Sequence, residues 1–416
     1  MELGGSIIFE RLYGPFPDMT TLSTSSKLKD RTGFAILLFG SALMMASASA
    51  PSPFYPVLQQ EMGFSALVMS EIFAIYAIAL LAALLIAGSI SDHVGRRPVL
   101  SGAFALLALS AVLFDRSGSV AALLTARAIQ GVACGLLLST LSAAITDLEP
   151  PEFKGIAAIC NSVIPLIGLA LGALASGYAM EYLAAPKFDI FTGVAVTSLV
   201  LAVLAWTLPE TSPRHEGLLQ ALKPRVGLPV EVRSTFWRGA PALFAGWATG
   251  GLYLSLGALV ISHVFGIDNV IVQGFVVSLL AGVGALACFL ARNYSARQVM
   301  LFGTAALSTG TFATLFGGHF ESFTSYLVAL AVVGAGFGTC FYAFIRSIMP
   351  LVPEDVRGET FAALFCISYL AFGVPVVVAG LLVPVLGLKV VVIGYGTLIA
   401  SLAALAGLLR KFGRTD

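Results

Sequence analysis

Charge is what this chain of 416 residues has least of: 11% of its side chains are charged, 58% are hydrophobic, and mean hydropathy is +0.95. The apolar share is well above the roughly 45–50% of ordinary soluble domains. A net charge of +1 and a pI near 7.6 leave no electrostatic footprint for nucleic acid, and no such partner is expected. Histidine is sparse as well. His93, His215, His263 and His319 lie far apart in loops or at helix ends, so no metal site is expected. The five cysteines are odd in number and all sit inside apolar runs, where they read as packing residues rather than disulfides or ligands. No glycine-rich phosphate loop is present, which argues against a nucleotide-driven pump; no cofactor is expected. The first thirty residues hold Glu2, Glu10, Arg11 and Asp18 with no apolar core, against a signal peptide. The stretch before Met19 is unlike the rest of the chain, which makes Met19 an alternative start.

What the chain has instead is long apolar runs. A helix needs about 20 apolar residues to cross the hydrocarbon core. Twelve such runs are predicted: 33–58, 66–90, 98–114, 119–146, 155–181, 188–208, 239–262, 269–291, 298–317, 323–347, 359–383 and 388–409. The expected fold class is an all-α polytopic membrane protein, its twelve helices forming two six-helix bundles. The boundaries are a tail (1–32), a first bundle (33–209), a linker (210–238), a second bundle (239–410) and a short tail (411–416). Lys and Arg crowd one side of the twelve spans, while Arg116, Lys187 and Lys389 fall on the other. The positive-inside rule then places both termini in the cytoplasm, in a bacterial inner membrane.

The halves repeat each other. Gly131, Gly135, Gly155 and Gly177 map onto Gly334, Gly338, Gly358 and Gly380 at a constant offset of 203. Asp92, Arg96 and Gly102 map onto Asn293, Arg297 and Gly303 at an offset of 201. Parallel repeats of this kind imply a central pathway between the halves and alternating access.

Between the second and third runs stands "GSISDHVGRRPVL", Gly88 to Leu100. Asp92 ends one helix and Arg96 and Arg97 open the next, where Pro98 suits the first turn; Gly88 and Gly95 permit a tight loop. The stretch resembles the loop motif between helices two and three of the major facilitator superfamily. "RAIQG", Arg127 to Gly131, resembles the helix-four motif of its proton-coupled members, and "LPET", Leu208 to Thr211, is common at the end of helix six. The resemblance covers nearly the whole chain after the tail and is nearest to twelve-helix, drug:proton antiporter-like bacterial members. It implies that Asp92, Arg96 and Arg97 act in a lock between the halves, with Asp92 meeting the N-terminal end of a helix near Gly358–Phe361. Topogenic charge is the plainer role for the two arginines.

Arg127 lies inside helix four, where a charge costs roughly 2.5–3.5 kcal/mol on insertion scales. It holds a partner on a neighbouring helix and tunes proton affinity, or it is structural and paired with backbone carbonyls. Gln130 belongs to the same motif. Glu71 is the one carboxylate well inside an apolar run of the first half, at a depth similar to that of Arg127. It either pairs with Arg127 and carries a proton, or is solvated near the outer interface. Helix one has no acid, unlike many antiporters of the family. "GLALGALASG", Gly168 to Gly177, resembles their helix-five motif but places Ala173 where the family has proline. Gly168, Gly172 and Gly177 permit close helix contact, as Gly131 and Gly135 do in helix four, and a kink is left to Pro165.

In this superfamily helices one, four, seven and ten line the path. Candidate substrate contacts are Tyr55, Asn161, Trp247, Tyr253, Phe341 and Tyr342, each of which reads equally as core packing or an interface anchor. The expected activity is secondary transport, without enzymatic chemistry: proton-coupled efflux of small amphiphilic or aromatic compounds by a monomer. Import of a small organic solute is the alternative; a sensor on the same scaffold would bind without flux, and a membrane enzyme lacks its catalytic constellation.

Overall fold

The computed structural model describes residues 19–224, 226–353 and 356–412, and those residues form helices with no strand. Among them are twelve helices long and apolar enough to cross a membrane. They are α1 (Met19–Ser49), α2 (Ala66–Ala87), α3 (Arg96–Asp115), α4 (Val120–Asp147), α5 (Ile156–Tyr182), α6 (Pro186–Leu204), α7 (Val230–Phe265), α8 (Val270–Leu290), α9 (Ala296–His319), α10 (Phe323–Ile348), α11 (Arg357–Leu386) and α12 (Leu388–Phe412). Several starts are written in local side-chain chemistry. Ser65, Ser119 and Asn269 accept backbone N–H bonds as N-caps, and Ser295 with Gln298 forms a capping box.

Two boundaries differ from the sequence reading. Helix α1 begins at Met19, inside the expected tail, and its span is prolonged past Pro51, Pro53 and Pro56 as a 3-10 turn (Ser52–Phe54) and a short helix (Tyr55–Met62). Each proline lacks an N–H, so the ladder breaks there while the chain keeps its direction. Helix α7 begins at Val230, well before the end of the expected 210–238 linker. Val232 and Phe236, one helical turn apart, are fully buried, so the basic stretch up to Arg238 is anchored as helix. Among its described residues, the remaining linker holds one short helix, Leu218–Ala221.

Within each half the repeat glycines set the packing. A Cβ on Gly135 would lie 2.7 Å from the Leu80 carbonyl, and one on Gly338 would strike the Gly284 backbone, so α4 seats on α2 as α10 seats on α8. Gly168 and Gly172 bring α5 onto the backbone of α1 at Ala42 and Ala46.

The halves meet along α2 with α11 and α5 with α8. Their contacts concentrate toward the end opposite the Gly88–Leu100 loop. There Ser52 Oγ donates to the Leu254 carbonyl (2.7 Å), Ser278 Oγ donates to the Ala170 carbonyl (2.6 Å), and Phe73 lies 4.7 Å from Phe372 between ring centroids. On α5 the buried positions run from Gly168 to Ala179; toward the loop end the next is Ala157. Among the described residues, then, the seam is sealed at the far end and opens as a cleft toward the basic end.

Candidate substrate site and charged loop network

Arg127 sits deep on α4, 1% exposed, directly beside the seam. Its Nη1 donates to Gln130 Oε1, and its guanidinium lies over the Tyr76 ring, 4.3 Å from the centroid. Gln130 Nε2 in turn donates to the Ser47 carbonyl of α1 (2.8 Å). The chain α1–Gln130–Arg127–Tyr76 thus links three helices of the first half through one cation. Two polar atoms are left over: Arg127 Nε and the Tyr55 hydroxyl are buried with no hydrogen-bond partner. Tyr55 is close enough to feel the Arg127 charge.

The second half supplies aromatic rings to the same place. Tyr369 of α11 adjoins Tyr76 and Cys134 across the seam. Trp247 of α7 stands 4.8 Å from Tyr369, 5.6 Å from Phe341 and 5.9 Å from Phe372, centroid to centroid. The resulting cluster at the seam offers flat faces, a few hydroxyls and one guanidinium, groups suited to stacking a ring and to holding an acceptor or anionic group.

The sequence candidates divide on this geometry. Arg127, Gln130, Tyr55, Trp247 and Phe341 come together. Asn161 is half-buried on α5 nearer the basic end, donating to the Ser142 carbonyl at 3.2 Å. Tyr342 is buried beneath the Arg346 guanidinium (5.2 Å) and takes no part in the Trp247 ring cluster. Tyr253 does not line the seam. It lies inside the second half toward the far end, hydrogen-bonded with Tyr326 and Thr314, because the α7 face that carries it turns toward α9 and α12.

Glu71 does not pair with Arg127. It is exposed on the outward stripe of α2 that carries Ile78 (62% exposed) and Ile86 (47%), while Phe73 and Tyr76 carry the inward face. At six residues from the Ser65 cap it lies only about 9 Å along the helix, at interface depth. Sequence reasoning missed Phe73, Tyr76, Cys134, Tyr369 and Phe372. A signal existed: aromatic pairs three apart, Phe73/Tyr76 and Tyr369/Phe372, fall on the two helices that face each other.

The Gly88–Leu100 loop forms a second cluster at the basic end. Arg96, 8% exposed, pairs with Asp92 (2.5 Å) and with Asp147 (3.3 Å), and donates to Ser91 Oγ (2.6 Å). Glu210 of "LPET" accepts from the backbone N–H of Arg96 (2.7 Å), Arg97 (3.3 Å) and Ser212 (3.1 Å), capping the positive end of α3. Burial alone would push the Glu210 carboxyl up. The three amides, helped by the Arg214 charge, outweigh it and hold the group below the usual carboxylate range. Gly95 takes φ +123°, a conformation L side chains rarely adopt, and a Cβ there would also lie 2.8 Å from Glu210 Oε2.

Among the described residues, no contact of Asp92 with the Gly358–Phe361 stretch of α11 is found. Asp92 stays within its own half, held by Arg96, and the Glu359 carbonyl accepts instead from the Gly227 N–H of the linker (3.3 Å). The cause is the cleft: with the seam open at this end, the two halves are apart.

The family model for the Major Facilitator Superfamily matches residues 37–376. The chain is 26% identical over 257 residues to the multidrug resistance protein MdtL of Shewanella sp. (strain ANA-3), covering 59% of this chain and 63% of that one. It is 29% identical over 196 residues to the 3-(3-hydroxy-phenyl)propionate transporter of Escherichia coli (strain K12), covering 46% and 47%. The matched stretches span less than two thirds of either relative. In fold, it superposes on the human organic anion transporter MFSD10 (TETRAN) with TM-score 0.68 at 19% identity, over 91% of this chain and 99% of that one. The proton:xylose symporter XylE gives TM-score 0.70 at 15% identity, over 93% and 96%. At these identities the likeness is one of fold. A family match running from α1 into α11 joins the repeated halves and the loop network on one conclusion: the chain belongs to the Major Facilitator Superfamily.

Proposed function

We propose that the protein is a secondary transporter that exports small amphiphilic aromatic compounds across a bacterial inner membrane by alternating access, with the proton gradient as energy source. One observation carries this reading. The only site that joins both halves around a buried cation and a ring cluster lies where the sealed seam gives way to the cleft, among the described residues. The crowding of Lys and Arg at the cleft end makes that end cytoplasmic, so the site is loaded from inside. The relative named as a multidrug resistance protein supports the outward direction.

A second reading is favoured by one feature. No carboxylate pairs with Arg127 among the described residues, and its Nε has no partner, so an aromatic carboxylate would complete the site. A relative named as a 3-(3-hydroxy-phenyl)propionate transporter supports a substrate of this kind.

Everted vesicles acidified inside, with a pH-reporting dye, separate the two. Proton loss on adding neutral or cationic aromatic amphiphiles supports export by antiport. Silence toward these, with gradient-driven movement of aromatic carboxylates in right-side-out vesicles, replaces the first reading by the second.

A further inference from the structure

The two halves neutralise their repeated arginine differently. In the first half Arg96 is surrounded by carboxylates, with Asp92 and Asp147 on its side chain and Glu210 on its backbone N–H. In the second half the matching arginine is Arg297, and every acid is gone. Asn293 stands for Asp92 at the offset of 201, and Pro350 for Asp147 at the offset of 203. Where Glu210 follows α6, α12 ends in Arg410 and Lys411.

Cations gather there instead. Arg238 of α7 and Arg297 of α9 are exposed and near enough to Arg410 for their like charges to bear on it. Among the described residues, none of the three forms an ion pair with a carboxylate. Arg410 Nη2 donates to Ser347 Oγ at 3.3 Å, but its Nε is buried with no partner. It borders a cavity of about 10 Å³ between α7, α9, α10 and α12, lined also by Thr235, Arg238 and Ser347 over a floor of Met300 and Phe344. That is the room of one water-sized oxygen atom. A tetrahedral oxyanion with one oxygen in the cavity would present the others to Arg238, which shares its lining, and toward Arg297, whose charge bears on Arg410.

We infer that Arg238, Arg297 and Arg410 form a binding site for a phosphate group at the basic end of the second half, where an external anion replaces the carboxylates of the first. Two sources share this chemistry: the headgroup of an anionic phospholipid beside the helices, and free phosphate in solution.

The test uses the full chain and reads thermal unfolding rather than transport. Wild-type protein is placed in phosphatidylcholine nanodiscs with or without phosphatidylglycerol. In detergent it is titrated with inorganic phosphate against chloride at matched ionic strength. The anionic ligand is expected to raise Tm by about 2–4 °C. Arg410→Gln should lose most of that shift, and so should Arg297→Gln, which alters an exposed side chain and keeps the fold. Arg292→Gln, at the same end but stacked on Phe289, is the charge-matched control and should keep it. A shift with phosphate alone identifies the free anion; a shift with phosphatidylglycerol only identifies the lipid. No shift with either ligand, or an equal shift in Arg297→Gln and Arg292→Gln, overturns the site.

Discussion

Gly177 and Gly380 occupy the same step of the two repeats, and each presses its helix onto the opposite half at the sealed end. A Cβ on Gly177 would lie 2.9 Å from the Val270 carbonyl of α8, and one on Gly380 would strike Ser70 of α2. These glycines permit the far-end seal, so enlarging one should penalise the sealed state alone. Overpacking costs about 1–3 kcal/mol, which shifts a two-state balance roughly 5–150-fold. Gly380→Leu is therefore expected to populate a state open at the far end. Spin labels at the exposed Glu61 and Glu321 should show a longer inter-label distance than in the parent protein. An unchanged distance distribution would remove these glycines from the gate.

Arg127 should decide affinity for any substrate bearing an acceptor or negative group. A charge-assisted hydrogen bond contributes about 1.5–3 kcal/mol, so Arg127→Ala should weaken binding about 10–100-fold. Arg127→Lys keeps the charge but loses the planar stack on Tyr76, and should recover only part of the loss. Quenching of Trp247, which stands in the site, measures both. Equal affinity in all three proteins would leave Arg127 a purely structural link between α4 and α1.

The architecture was legible because it follows from long-range rules that leave a mark in one chain. Apolar runs of membrane length gave the helices, and the glycine offsets gave the two halves. The site was legible only in part. Arg127, Gln130 and Trp247 were found because a buried charge or an indole in an apolar run is unusual. Tyr76 and Tyr369 were missed because an aromatic on a greasy helix looks the same whether it faces lipid, core or seam. Helical phase decides between those, and in a helix apolar all round the phase carries no contrast. The same lack of contrast misplaced Tyr253 and left Glu71 open between pairing with Arg127 and lying solvated near the outer interface, of which the structure has the second.

Glu71 gives that correction an experimental form. On the outward face of α2 it cannot exchange a proton with the Arg127 site in this state. Under the proposed proton coupling, Glu71→Gln should leave substrate-driven proton movement within about two-fold of the parent rate, a change no larger than a surface substitution brings. A loss of coupling with binding intact would mean that α2 turns during the cycle and brings Glu71 inward.

Glu210 sets the acid limit of the loop network. Its carboxyl is held below its ordinary value by the amides of Arg96, Ser212 and Arg97, against the upward push of burial. A carboxyl lowered on folding adds stability that is fully present above its unfolded value, about 4.3 for Glu. That contribution fades as pH falls toward and through the lowered folded value. Acid titration of the purified protein should therefore show Tm dropping over that interval. In Glu210→Gln the drop should be shallower, because the amide keeps an acceptor for α3 but does not titrate. The variant's Tm at neutral pH should lie below that of the parent, since a neutral acceptor pairs less strongly with a helix N-terminus than a carboxylate does. Parallel acid limbs in the two proteins would leave Glu210 a cap whose charge does not matter.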